Sequence, residues 1–343
     1  MATYEKKSWE TLNLPAVSGD TFFRILDHSV STDPSLETSG VIYDGLVLDG
    51  FGIQNLNEIL AQYVNPTPII FGSPNVQVDN ASHSTFYIYY TQDDWGTWTN
   101  DTVIIVYDWS YTNTPRAVLS DPIINLLDNR QFFIYTIKPA TPDVSQIIEF
   151  KIGNILVDQF TISGYTHYNY IHNLLYATYP GEFSYAYSYD FFVDRTVPID
   201  GVNKITIGPS TYYVANTCYR YCLYYINQYG GWDSLLFRGR ELNSSDLSRL
   251  SYKKNYIANS TDFYKVDYLT TINEKWSLNT SFLNDIESSK MINQLYIQDL
   301  ETGHISSVNI TNSNCELKNY KNQGRKMATY TIEVAASQPK YRV

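Results

Sequence analysis

Cysteine is scarce in this chain: Cys218, Cys222 and Cys315 are the only three among 343 residues, and an odd number cannot all pair within one molecule. A disulfide framework is excluded, and a reducing compartment is the natural setting. Cys218 and Cys222 share a face in either a strand or a helix, but no histidine lies close in sequence, so buried, unreactive thiols are expected. Histidine is sparse too, with His28, His83, His167, His172 and His304 scattered along the chain. The closest pair, His167 and His172, would fall on opposite faces of a strand, which does not suit a shared metal. Satisfied surface or turn histidines are expected instead, with no metal site and no cofactor.

Long apolar runs and cationic clusters are missing as well. No window approaches the roughly 18 uninterrupted apolar residues of a membrane helix, and the opening Met1-Ala2-Thr3-Tyr4-Glu5-Lys6-Lys7-Ser8-Trp9-Glu10 has no apolar signal-peptide core. Neither a membrane span nor secretion is expected. Lysine and arginine form no long runs, Lys6-Lys7 and Lys253-Lys254 being only pairs, and the formal net charge is −11. Binding to a phosphate backbone depends on clustered cations, so no specific nucleic-acid binding is expected. An acidic surface would suit the wall of a conduit along which DNA slides, and it would equally suit any soluble acidic protein. Nucleophile-elbow, Walker A, dinucleotide-binding, zinc-protease and calcium-loop motifs are all absent, and the chain is not expected to be an enzyme.

What is present is β-forming and aromatic. Hydrophobic residues make up 43% and charged residues 17%, which excludes a disordered chain, and 32 tyrosines suggest that some serve as surface contacts. The length suits two to four domains. Residues 1–75 hold short strands at Phe22 to Leu26 and Val41 to Leu48 and the clearest helix, where Asn55-Leu56-Asn57-Glu58 has capping-box form. Leu56, Ile59, Leu60, Tyr63 and Val64 follow one helical face until Asn65-Pro66 stops it. Residues 76–143 contain the runs Phe86 to Tyr90, Val103 to Tyr107 and Gln131 to Ile137, a small β-sandwich in expectation. Residues 144–215 form a second, Tyr-rich sandwich with strands at Ile147 to Ile152, Ile155 to Ile162, Tyr185 to Val193 and Lys204 to Ile207. Residues 216–343 are β-rich, with a Gly-Gly hairpin, a helix near Leu283 to Asn293 and an alternating strand at Ala328 to Ala335. The fold class is thus mainly β and multi-domain, with small Ig-like sandwich modules and a few short helices.

Three segments carry candidate contacts. The hairpin spans Arg220 to Gly239, two apolar runs joined by a turn with Gly230 and Gly231 and followed by Trp232; its signal is architectural. The loop Gln92 to Asp101 presents Trp95 and Trp98 beside carboxylates, which would suit sugar stacking, although rings packed on the sandwich edge or a neighbouring subunit are the better account. Tyr185-Ala186-Tyr187-Ser188-Tyr189 places Tyr185, Tyr187 and Tyr189 on one face of a strand. That ladder is either core or partner anchor, and the anchor is preferred because buried phenols need hydrogen-bond partners.

The hairpin segment Tyr225-Ile226-Asn227-Gln228-Tyr229-Gly230-Gly231-Trp232-Asp233-Ser234-Leu235 resembles virion proteins of crAss-like phages, the short-tailed phages of gut Bacteroidetes. Gly45 to Asp49 with Gln54 to Leu60, Val106 to Tyr111, Glu274 to Thr280, and Asn322 to Met327 with Tyr330 to Val334 share the resemblance. It implies a structural subunit of the tail: a homo-oligomeric ring of about twelve copies below the portal, bridging to portal and adjacent tail proteins. Packaged DNA would pass without specific binding, no membrane would be contacted, and assembly would take place in the host cytoplasm. A tail fibre or a receptor-binding, carbohydrate-binding tail protein is the alternative.

Overall fold

The computed structural model describes residues 3–14, 16–27, 34, 41–72, 76–92, 98–112, 116–120, 126–128, 131–152, 155–173, 204–215, 220–237, 242–253, 265–283, 293–320, 325–338 and 340–342. In chain order the elements are β1 (Thr3–Lys7), β2 (Thr21–Asp27), β3 (Val41–Val47) and the helix α1 (Leu56–Leu60), which runs into a 3-10 turn at Ala61–Tyr63. Then come β4 (Val76–Asp79), β5 (His83–Thr91), β6 (Thr99–Val106), β7 (Leu126–Asp128), β8 (Phe132–Ile137), β9 (Gln146–Ile152), β10 (Ile155–Ile162) and β11 (His167–Asn173). They are followed by β12 (Lys204–Ile207), β13 (Ser210–Ala215), β14 (Tyr221–Ile226), β15 (Trp232–Phe237), β16 (Leu242–Lys253) and β17 (Lys265–Leu283). The last are β18 (Asn293–Asp299), β19 (Ile305–Tyr320), β20 (Arg325–Ala336) and β21 (Lys340–Arg342).

These strands make four sheets, so the chain is mainly β with one short α-helix among the described residues. The first sheet has the order β1-β6-β5-β2-β3, the second β4-β11-β8 and the third β10-β9-β12-β13-β7. The fourth has the order β15-β14-β18-β19-β20-β17-β16, with β21 also paired to β17. Strand pairing crosses two of the expected divisions. The first sheet joins β1 to β3 with β5 and β6 across residue 75, and the second and third sheets join partners on both sides of residue 143. Every strand of the fourth sheet lies beyond residue 216.

Burial explains which strands are central. In β8, Phe-Phe-Ile-Tyr-Thr-Ile, all six residues are buried, because both faces are covered. Phe133, Tyr135 and Ile137 face Ile148, Phe150, Ile205 and Ile207 of the third sheet, forming a sandwich-like core. Phe132 and Ile134 face the opposite way, into a core shared with Ile25, Ile88 and Ile105 of the first sheet and Leu60 of the helix. β14 repeats the arrangement: Cys222, Tyr224 and Ile226 enter that shared core, while Tyr221, Leu223 and Tyr225 enter a core internal to the fourth sheet. A strand covered on two faces reads as a continuous apolar run, which is what both sequences show. The fourth sheet curls so that β15 approaches β17, and Asn243 Nδ2 donates to Tyr221 Oη at 2.9 Å.

The helix occurs where its apolar face predicts, with Leu56, Leu60 and Val64 at 1% exposure or less, but Tyr63 is exposed. Its start differs from a capping box. Asn55 adopts a left-handed conformation with φ of 54° and caps nothing through its side chain, and its own N–H donates to Asn13 Oδ1 at 3.0 Å. The bond a box would take from Glu58 is thus supplied by the preceding chain. The helix expected near Leu283 to Asn293 lies almost wholly outside the described residues; Leu283 and Asn293 themselves end β17 and begin β18. The strand expected at Tyr185 to Val193 also lies outside them.

The sheets are tied by directional bonds as well as apolar packing. Tyr224 Oη of β14 accepts from the Phe132 N–H of β8 at 2.8 Å and donates to Gln298 Oε1 of β18 at 2.6 Å. Phe71 wedges beside this tie, its ring 5.2–5.4 Å from those of Phe132, Tyr224 and Tyr296. Replacing Tyr224 with Phe keeps the ring contacts and orphans a buried N–H. The variant is expected to lose about 1–3 kcal/mol of stability in denaturant unfolding, and a loss within error would show that the tie contributes nothing.

Candidate functional site

The hairpin singled out in the sequence is held by close backbone approaches and a dense set of hydrogen bonds. β14 and β15 pair from Tyr221↔Phe237 to Ile226↔Trp232 around the loop Asn227 to Gly231. The Asn227 side chain organises that loop. Its Oδ1 accepts from the N–H groups of Tyr229 (2.9 Å) and Gly231 (3.0 Å), and its Nδ2 donates to Leu119 O (2.8 Å) and Asp233 Oδ2 (2.7 Å). Both amide hydrogens and both acceptor positions are thereby used. Gly230 has φ of +81°, and a Cβ there would lie 2.8 Å from Tyr107 Cδ1. A Cβ on Gly231 would meet the Leu119 carbonyl carbon at 2.5 Å and its oxygen at 2.6 Å, so backbone approaches backbone where only glycine fits.

Trp232 is fully buried, and its main chain continues the network into the second sheet. Its N–H donates to Thr136 Oγ1 at 2.9 Å and its carbonyl accepts from Ser120 Oγ at 2.8 Å. Ser120 Oγ accepts from Thr136 N–H at 2.7 Å, and Thr136 Oγ1 donates to Asn169 Oδ1 at 2.8 Å. Gln228 O accepts from Trp109 N–H at 2.6 Å, and Arg116 lies over the Tyr229 ring at 4.0 Å. The chemistry available here is structural: small polar groups hold a turn in a seat built by four other segments.

His167 sits beside this seat, against Gly230, and corrects the expectation of surface histidines: it is 1% exposed. Burial, helped by the positive charge of Lys138 and by His83, pushes its pKa down to about 3, and only the approach of the Gly230 backbone favours protonation. Burial also lowers His83 and His172, and it lowers Lys138 despite Asp108 nearby. Asp79 moves the other way: burial raises its pKa against the bonds it accepts from Thr67 and Ala81. His167 and His172 do face opposite sides of β11, and His172 stacks on Tyr170 instead of joining it. His304 is exposed, and His28 lies outside the described residues. Among the described residues no group of three His, Cys, Asp or Glu side chains is placed to hold a metal ion.

The other candidates are dispersed. Trp98 is half-buried and packs edge-on against Tyr89 at 6.2 Å, as a ring on the sheet surface does; Trp95 lies outside the described residues. Tyr185, Tyr187 and Tyr189 also lie outside them. Cys222 is a buried thiol in the shared core, and Cys218 lies outside the described residues. Among the described residues many tyrosines are interior: Tyr135, Tyr170, Tyr224 and Tyr225 are among the largest fully buried side chains, and burial pushes Tyr107 and Tyr135 up to about 12.

Sequence reasoning missed the most exposed structure. β16 and β17 form a long antiparallel ribbon in which eleven of the twelve β16 residues are exposed, Leu242, Leu247, Leu250 and Tyr252 among them. Arg249–Asp267 at 3.6 Å and the Lys275–Asp246 pair bind its strands to each other. The sequence signal was faint, because Leu247 and Leu250 sit three apart among serines and give no strand alternation. No helix among the described residues is long and apolar enough to cross a membrane. No protein-family model matches the chain, and no curated protein matches it significantly.

Two consequences can be measured. Gly231→Ala is expected to lower stability by about 1–3 kcal/mol or more, read as a shift in the unfolding midpoint; wild-type stability would contradict the close approach at Leu119. The unfolded His167 ring binds a proton near its ordinary 6.5, the folded ring only near 3. Its contribution is therefore complete above pH 6.5 and is lost as pH falls toward 3, at up to about 1.4 kcal/mol per pH unit. His167→Leu should flatten the stability profile between those values, and a profile parallel to wild type would refute the assignment.

Proposed function

We propose that this chain is a structural, self-assembling subunit, and that its setting is the one its sequence resemblance implies, a ring of the tail of a crAss-like phage below the portal. The observation that carries the assembly reading is the β16–β17 ribbon. β16 is the end strand of the fourth sheet, with eleven of its twelve residues exposed, so its side chains bury little of the chain's own apolar surface. Among the described residues β16 has no ladder partner beyond β17, and an exposed strand edge is a feature that proteins ordinarily shorten, bulge or cover. A surface of this kind suits contact with another protein.

Two further features support the reading. The hairpin seat and the doubly covered strands β8 and β14 make a body in which geometry is fixed by packing and hydrogen bonds, as a repeating assembly requires. The acidic balance of −11 suits a conduit that DNA traverses without binding. The phage setting, the portal-proximal position and the copy number of about twelve rest on the resemblance and on the closed symmetry of ring assemblies. The carbohydrate-binding alternative gains no support from Trp98, whose ring faces Tyr89.

The test is the mass of the purified chain by light scattering, with negative-stain images of the same sample. A closed ring is expected. A trimer would point to a fibre, and a monomer at every concentration would overturn self-assembly.

A further inference from the structure

The hairpin seat closes over a histidine. His167 opens β11, its N–H donates to Ser82 Oγ at 3.1 Å, and a Cβ on Gly230 would lie 3.1 Å from its Cε1, so the hairpin loop is the lid on the imidazole. The groups that act on its charge are Lys138 just after β8, His83 at the start of β5 and the backbone of Gly230. Two of the three are themselves cationic when protonated.

The carboxylates in the neighbourhood are engaged elsewhere. Asp79 lies opposite His167 in the β4–β11 ladder, but it accepts from Thr67 and Ala81 at 2.8–3.1 Å. Asp108 accepts from Ser110 and pairs with Lys7 at 3.1 Å, and together with Glu5 it acts on Lys138 rather than on His167. A proton on the closed ring is therefore a buried charge facing other cations, and the way to hydrate it is to lift Gly230. On the other face of β11, His172 packs on Phe150 and Tyr170, and Asp158 there favours its proton, so the joint with the third sheet is the less acid-sensitive of the two.

The fourth sheet differs. Its internal core, with Leu223, Tyr225, Leu278, Ile332 and Val334 among its members, is built of aliphatic and aromatic side chains that gain no charge in acid, and His304 is exposed. We propose that the hairpin seat is an acid-operated joint: as the medium acidifies, the loop Asn227 to Gly231 leaves Leu119 and Trp109 while the fourth sheet keeps its own ladder. Opening hydrates the imidazole and relieves its repulsion from Lys138, whereas the ladder of β17, β20 and β19 has no such charge to relieve. The joint acts within one copy and is independent of the assembly reading.

The experiment is hydrogen exchange on the full chain at steps from pH 7 to pH 3, each protection factor taken against the intrinsic rate at that pH. The seat is followed at the N–H groups of Trp109, Gly231 and Trp232, and the fourth sheet at Ile332 and Val334. Seat opening should rise by up to about tenfold for each pH unit below the ordinary histidine value, and the seat should lose protection at a higher pH than β20. His167→Gln should move the seat transition down by on the order of one pH unit and leave the later loss of β20 in place, because His167 is already hydrated in the open state. Loss of seat and β20 protection in a single step would overturn the joint, as would a seat that stays closed to pH 3 or a variant whose seat opens where the wild type does. Should His167→Gln fail to fold, the order of the two steps in the wild-type chain decides.

Discussion

The side-chain amide of Asn227 is the constraint on which the rest of the structure depends. It closes a five-residue loop from inside, and it reaches out to the Leu119 carbonyl in the segment running beside β8. Without it, two loop N–H groups and a carbonyl would be buried with no partner, each at a cost of about 1–3 kcal/mol. Because the amide holds the loop tight, Gly231 can lie against Leu119, and because Gly231 lies there, the Trp232 backbone meets Thr136 and Ser120. The chain of bonds ends at Asn169 on β11. The position of the fourth sheet relative to the second is thus set by groups with direction. Apolar surfaces alone tolerate sliding; a saturated polar network does not.

Around that seat the layers follow from composition. β8 and β14 are the strands with no polar face to offer, so each becomes an inner layer between two cores. Their phenols resolve the question raised by an unusual number of tyrosines. A buried tyrosine brings a large apolar ring together with one polar atom, and a molecule of stacked sheets has many places where a ring must fill a gap and an oxygen must reach a neighbouring strand. Tyr224 does both at once, and Tyr135 reaches Ser210 Oγ at 3.2 Å across the sandwich. Surface tyrosines such as Tyr252 and Tyr268 are a second population, with rings 6.2 Å apart on the ribbon.

Local patterns carried a good part of this in the sequence. Continuous apolar runs marked β8 and β14, Gly230-Gly231 marked the turn, and the stripe from Leu56 to Val64 marked the helix. What local patterns lack is pairing. β4 meets β11 some ninety residues later, with Val76 opposite Tyr170, and no feature of either segment names the other. Pairing across residue 75 is hidden for the same reason: β2 and β5 read as separate units in sequence and are adjacent in space. His167 is one of five scattered histidines in sequence and nothing local marks it as interior, whereas in space it is fully buried against Gly230, with His83 and Lys138 close enough to act on its charge. The Asn55 box failed through a competitor from outside the window, Asn13. The Asn227 role was closest to legible, since asparagine at the start of a glycine-bearing loop is a known former of side-chain-closed turns.

The contrast between seat and ribbon bears on what the chain can do. In the seat, every substitution disturbs packing, a hydrogen bond or a close backbone approach, so residues there are spent on holding shape. On β16 the side chains touch water, and the strand is held by its ladder to β17, which β20 and β21 hold in turn. Fold and surface chemistry are therefore separable: substitutions on β16 change the ribbon's surface at little cost to the body. Exposed Leu247 and Leu250 beside Arg249 are costly features for a free surface, because they invite non-specific pairing.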